Sequence, residues 1–459
     1  MARVKNHASP DSLLGQLQRG RGEGYLRILS TPKLEAESLL LECICHDPRL
    51  DSQVEDRAGY YASIAIAVGL DLTLLARHLR DNDDTNQSGW NTPLAVETLG
   101  ELAKRGYWNA AEILCDYIGW GQWWDWSLDD LVAVRDAALH QKIASGIERR
   151  FPSDDELENA LAWFDFDDEP WLTILKYSPR IRTIAENPRA RVGVSAARKR
   201  ESAEPSVFTT AQILDLVNDQ NRHDLRKAMA QVVTPADINL LKSNVTLEKP
   251  FVADVALAGL EKLAPDELFS WIRAFWSICP EKPRFLRWRA GQVLVALSPG
   301  LTLPLARQNL FQQDWDERVL AEELLEAHAT SEDIPLVCRA IQQALTDDEE
   351  YSHRLCSLVS AFTHLADVGP IPELTDVFIQ FRYSYGRARA ARAMHVTAPD
   401  HFREHFALEC LWDCEEGTRE LGVKTAPFEN TVVRNRIQEL ASNVWEDEDV
   451  RSEAVKRLA

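Results

Sequence analysis

Apolar and polar positions alternate along this chain with the period of helices over most of its length. In FVADVALAGLEKL (251–263) and ERVLAEELLEAHA (317–329), Leu and Ala recur at steps of three and four, the spacing that lines one side of an α-helix. The same period runs through SLLLECICHDP (38–48), VEDRAGYYASIAIAVG (54–69) and LTLLARHLR (72–80). PLAVETLGELAKRGYWNAAEILCDYIG (93–119) reads as a helix, a break at Gly106 and a second helix.

Breaks recur in the second half. Thr234-Pro235, Ala264-Pro265, Ser298-Pro299, Thr330, Gly369-Pro370 and Ala398-Pro399 each follow an apolar run, at intervals of about 30 to 39 residues. Proline there opens a new helix, because an amide N–H at that position would find no intrahelical partner. Thr234 or Ser298 just before it is expected to accept from the free amides as an N-cap. Second helices then run from Pro265 to Ser277 and from Pro399 to Leu411. Two antiparallel helices per unit, stacked side by side, make an α-solenoid.

This half resembles the HEAT and armadillo-like repeat families. The likeness includes the Asp-x-x-Arg helix start in DWDERVLAEELL (314–325) and the tail DEDVRSEAVKRLA, which is similar to the first helix of such a repeat. It is a likeness of architecture over roughly 206–459, and weaker in the first half. It implies an all-α, elongated α-solenoid of antiparallel helix pairs, and a binding scaffold rather than an enzyme.

The pattern fails between Ser178 and Pro205, where Arg180, Arg182, Arg189, Arg191, Arg198, Lys199 and Arg200 crowd a stretch poor in large apolar residues. It reads as a basic loop interrupting the solenoid. The expected organisation is a flexible tail over 1–30, a helical repeat region over 31–177, the basic loop at 178–205, and a HEAT-like array over 206–459. Gly20, Gly22 and Gly24 in QRGRGEGY lack both the preceding strand and the spacing of a phosphate loop, so they are assigned to the tail.

Charge changes the choice of partner. Lys and Arg total 51 against 72 Asp and Glu, a formal charge of −21, which opposes nucleic acid and anionic membranes overall and favours a basic protein. The longest apolar stretch, Tyr60 to Leu70, is about half the roughly 20 residues of a membrane span. Eight scattered cysteines without paired ligand spacing, and no apolar leader in MARVKNHASPDSLLGQL, point to reduced thiols in the cytoplasm.

The sharpest chemical motif is HFREH. His401 and His405 would share a helix face and a zinc ion, Glu404 would polarise a bound water, and Glu409 one turn on would be a third ligand. A Zn-dependent hydrolase at His401, Glu404 and His405 is therefore one alternative. Another is a nucleic-acid-binding protein or DNA glycosylase, which some HEAT-like solenoids are. It would use the basic loop together with Arg284, Arg287, Arg289, Arg387, Arg389 and Arg392. No motif calls for a cofactor. GWGQWWDW (119–126) falls at an inter-helix turn, with Ser127-x-x-Asp130 resembling a capping box. Trp120 and Trp124 are expected to pack inward, leaving Trp123 and Trp126 as anchors for a partner. The preferred reading is a non-enzymatic cytoplasmic scaffold or adaptor for a basic protein.

Overall fold

Helix starts follow local chemistry. Pro93, Pro179, Pro250, Pro299, Pro372 and Pro399 each stand at the first position of a helix. Asp71, Asp136, Ser153, Ser178 and Asp314 accept amide bonds as N-caps. Thr234 and Thr330 stand at N-caps, each in a capping box with the carboxylate three residues on. The threonine hydroxyl and amide both donate to a carboxylate three residues on, Asp237 at 2.8 and 2.9 Å, and Asp333 at 2.9 Å for each bond. Ser298 likewise donates, to Asp266 at 2.8 Å. A carboxylate is the stronger acceptor, so it takes the hydroxyl proton.

The structure, a computed structural model, describes residues 7–83, 92–134, 136–162, 164, 166, 169–186, 208–279, 284–346 and 353–459. Among them there is helix and no strand, and no helix is long and apolar enough to cross a membrane. The chain divides into two compact units, one of residues 1–200 with 369–459, the other of residues 201–368. This differs from the division read in the sequence. The stretch 206–459 is not one body, and the last ninety or so residues complete the first unit.

In the second unit, Arg222–Val232, Pro250–Leu263, Arg284–Ala296, Trp315–His328 and His353–Ser360 each pack against the next, and the shorter helices between them rest on their successors. Leu257, Leu260, Leu294, Leu320 and Leu324 fill the interior. Ion pairs cross from helix to helix. Buried Asp254 takes Arg226 at 3.4 Å and Arg289 at 3.3 Å, while Glu322 takes Arg354 at 2.6 Å. Glu317 gathers Arg273 at 2.8 Å, Asn309 at 2.7 Å and the Trp276 indole N–H at 3.2 Å. Such buried pairs hold register, since breaking one strands a charge.

The first unit is closed by its own ends. Where a flexible tail was expected, residues 7–30 carry helices Leu13–Gln18 and Gly22–Ile28, with Leu17 and Ile28 fully buried. Helix Gly22–Ile28 packs against Ala407–Cys410. Arg19 Nε donates to the Gln380 carbonyl at 2.9 Å, Arg21 Nη2 grips both oxygens of Glu409 at 3.0 and 3.1 Å, and the Cys414 amide donates to the Gly20 carbonyl at 2.9 Å. The glycines are there for space. A Cβ on Gly22 would lie 1.8 Å from the Glu409 carbonyl oxygen, and Gly20 has φ +67° with its Cβ position 2.4 Å from Cys414 Sγ. Beneath them lie two fully buried arginines, Arg57 paired with Glu55 at 2.6 Å and Arg387 with Asp413 at 2.7 Å.

Candidate functional site

None of the four tryptophans is fully buried: Trp120 is exposed, and Trp123, Trp124 and Trp126 are half-buried. The helix here begins at Trp124 and runs to Val132, so Ser127 lies inside it with its hydroxyl donating to the Trp123 carbonyl at 3.3 Å, and no capping box forms. Trp124 packs edge-on to Phe151 at 5.1 Å beneath the Arg150 guanidinium at 5.5 Å. Trp123 and Trp126 pack on each other at 4.9 Å, both half-buried. Trp120, expected inside, is 41% exposed, because its indole N–H reaches out to Asp116 at 3.2 Å. We therefore expect Trp124→Ala to lower stability by about 3 kcal/mol, and Trp120→Ala by no more than about 1 kcal/mol, in denaturant melts. Equal losses would contradict this packing.

The histidine motif does not gather a third ligand. His401 and His405 lie 4.5 Å apart on helix Pro399–His405, with Glu404 3.9 Å from His405. The helix then breaks at Phe406, where φ is −124°, so Glu409 sits on the separate helix Ala407–Cys410. Its carboxylate faces Arg21 instead of the imidazoles. Among the described residues no group of three His, Cys, Asp or Glu side chains could hold a metal ion.

The arginines of the basic loop and the later clusters bond largely within the chain. Arg180 meets Asp154 at 2.6 Å, and Arg182 caps the Leu175 carbonyl at 2.8 Å from helix Pro179–Ala185, which replaces the start of the expected loop. Arg189, Arg191, Arg198, Lys199 and Arg200 lie outside the described residues. Arg287 pairs with Asp316 at 2.7 Å, Arg289 with Asp254 and Glu261, and Arg389 with the Tyr385 hydroxyl at 3.0 Å.

Sequence reasoning missed a different site in the first unit. The segment leading into helix Ala58–Val68 alternates. Glu55 and Arg57 turn inward, and Asp56 between them is exposed with no ion-pair partner. Around Asp56 stand carboxylates from three other elements. Glu97 and Glu101 belong to helix Pro93–Lys104, Asp130 to helix Trp124–Val132, and Glu416 to helix Glu416–Thr425. The absence of side chains brings them close. The Cβ position of Gly100 lies 1.9 Å from Asp130 Oδ2, and that of Gly59 lies 3.8 Å from Glu101 and 3.9 Å from Asp56.

Cations here are outnumbered. Arg49 serves Asp47 at 2.9 Å and Glu97 at 2.6 Å, Lys104 serves Glu101 at 3.0 Å and Asp130 at 2.7 Å, Arg105 also serves Glu101 at 3.1 Å, and Arg419, near enough to feel Asp56, pairs with Glu446 at 2.7 Å. Among the described residues, Asp56, Glu416 and Asp447 (the last capping helix Glu448–Leu458) have no ion-pair partner. The repulsion is visible in the titration of the neighbours. Burial, with Asp47 and Asp56 opposing the pull of Arg49, pushes Glu97 up to about 7. Burial raises Asp130 against Lys104, helped by Glu101 and Asp56, and burial with Asp447 and Asp56 raises Glu416. Such crowding of half-buried carboxyls marks a surface suited to cations. Glu55-Asp56-Arg57 gave no signal in the sequence, because both the exposure of Asp56 and its neighbours are set by packing.

A scan against protein-family models finds no match for this chain, and a search of curated proteins finds no significant relative.

Proposed function

We propose that the protein is a non-enzymatic scaffold whose helices stack as HEAT-like antiparallel pairs, and whose acidic face around Asp56 holds a basic protein partner. The helix-to-helix succession in the second unit, with ion pairs running between successive helices, supports the solenoid part of this reading. The observation that carries the partner part is Asp56 itself, an exposed, unpaired carboxylate within electrostatic reach of three raised carboxyls. A lysine or arginine brought to this face relieves repulsion that the fold leaves standing. Trp126 lies one turn before Asp129 and Asp130 on the same helix, so the Trp123–Trp126 pair offers an apolar anchor at the margin of the acidic face.

The test is calorimetric titration of the full chain with a Lys/Arg-rich peptide. Binding should weaken with added salt, and Asp56→Lys should lower affinity at least about tenfold while shifting the thermal midpoint little, since Asp56 is exposed and has no ion-pair partner among the described residues. Cation binding favours ionised Glu97, so affinity should grow as pH rises through about 7. An affinity indifferent to Asp56→Lys would sink the reading. Preference for double-stranded DNA over the peptide would move the choice to a nucleic-acid partner.

A further inference from the structure

The two ends of the first unit meet at one serine. Glu55 is fully served by donors. Its Oε1 accepts the amides of Leu50 at 2.6 Å and Asp51 at 3.1 Å. Its Oε2 accepts Arg57 Nη2 at 2.6 Å, the Ser384 amide at 3.0 Å and the Ser384 hydroxyl at 2.8 Å. Burial disfavours its charge, yet Arg57 and these hydrogen bonds hold its carboxyl below the usual range. The same Ser384 hydroxyl is also hydrogen-bonded to Glu415 Oε1, and among the described residues no cation lies within ion-pair distance of Glu415.

A hydroxyl has one proton to give. Ser384 can donate to one carboxylate, and Glu55 is the one held ionised by Arg57. The second contact then needs a proton from the other side. We propose that Glu415 is a carboxylic acid donating to Ser384 Oγ, and that this proton leaves the serine hydroxyl to Glu55, whose partner Arg57 reaches the Gln18 carbonyl at the end of the first helix.

The charged groups facing Glu415 are otherwise committed. Arg387 pairs with Asp413, Arg57 with Glu55, and Arg419 with Glu446 at 2.7 Å and with the Asp413 and Cys414 carbonyls. Arg19 donates to Gln380, and the Cys414 thiol is buried beside Asp413. Burial, joined by Asp413 and Glu55 against the pull of Ser384 and Arg57, pushes Glu415 up to about 7. A carboxyl raised in the closed state stabilises closure fully below its ordinary value, and that stability is lost as pH rises through the raised one. The window is therefore from about 4.5 to about 7, with closure weakening toward the upper end. Glu409, raised by burial beside Arg21, adds the same sign.

Hydrogen exchange on the full chain tests this, corrected for intrinsic rates and referenced to helix Thr431–Ser442. Exchange in helices Leu13–Gln18 and Gly22–Ile28 should accelerate at least tenfold between about pH 5 and about pH 7.5, then level off. Glu415→Gln supplies an N–H donor to Ser384 that cannot ionise, so most of that rise should disappear, leaving the part due to Glu409. A flat wild-type profile, or the full rise retained in Glu415→Gln, overturns the proposal. Should that variant fail to fold, Ser384→Ala must displace the midpoint of the wild-type profile, and an unmoved midpoint overturns it equally.

Discussion

Arg387→Ala is expected to lower the stability of the first unit by about 3–5 kcal/mol, the largest loss from any single truncation considered for this chain. The guanidinium is fully buried, pairs with Asp413 at 2.7 Å, and donates to the Arg19 carbonyl, so its removal strands a buried carboxylate and an unmet carbonyl together. The contrast is with the double variant Arg387→Met with Asp413→Leu, which removes both charges and keeps apolar volume. That pair should recover much of the loss, because desolvating two ions offsets most of their attraction. Denaturant midpoints for the two proteins check both statements. A double variant no better than Arg387→Ala would mean that the surrounding carbonyls, and not the stranded charge, set the penalty.

Gly22→Ala should be nearly as damaging, at about 3 kcal/mol or more, although it adds a single methyl. That methyl would lie 1.8 Å from the Glu409 carbonyl oxygen, a backbone atom that cannot swing aside, so helix Gly22–Ile28 must lift from Ala407–Cys410. Lifting it also parts Arg21 from Glu409. Were residues 1–30 a tail, the same change would be neutral or slightly stabilising through the unfolded chain. Limited proteolysis decides between these outcomes. The N-terminal helices should become cleavable in Gly22→Ala while helices such as Trp108–Ile118 stay protected.

What could be read from the residues was local. The apolar stripe of 251–263 became helix Pro250–Leu263, that of 317–329 became Trp315–His328, and Gly106 separates its two helices with φ +86°. Each depends on side chains within one or two turns, and periodicity reports those. What escaped depends on partners far along the chain. Glycines in QRGRGEGY suggest flexibility until Glu409 and Cys414 lie against them, and the packing that does so spans nearly four hundred residues. The acidic face failed to register for the same reason. Asp56, Asp130 and Glu416 are unremarkable in three separate stretches, and only packing brings them together, Asp130 against Gly100 and Asp56 beside Gly59. Phe406 interrupts what periodicity alone continues to Leu411, and that interruption parts Glu409 from the histidines.

The joining of first and last segments also dictates an order of events during synthesis. Glu55 and its partner Ser384 are separated by 329 residues, and the whole of the second unit is translated between them. At a rate of roughly 5–20 residues per second, the first helices emerge from the ribosome on the order of tens of seconds before Ser384, Asp413 and Glu415 exist. Through that interval helix Gly22–Ile28 lacks Ala407–Cys410, Arg21 lacks Glu409, and Arg57 lacks the Arg382 carbonyl. The nascent protein thus presents an apolar, positively charged N-terminal surface that a chaperone can occupy. A message truncated before codon 413 leaves that surface open for the life of the product, so a premature stop near the end of the chain should be felt first at its beginning.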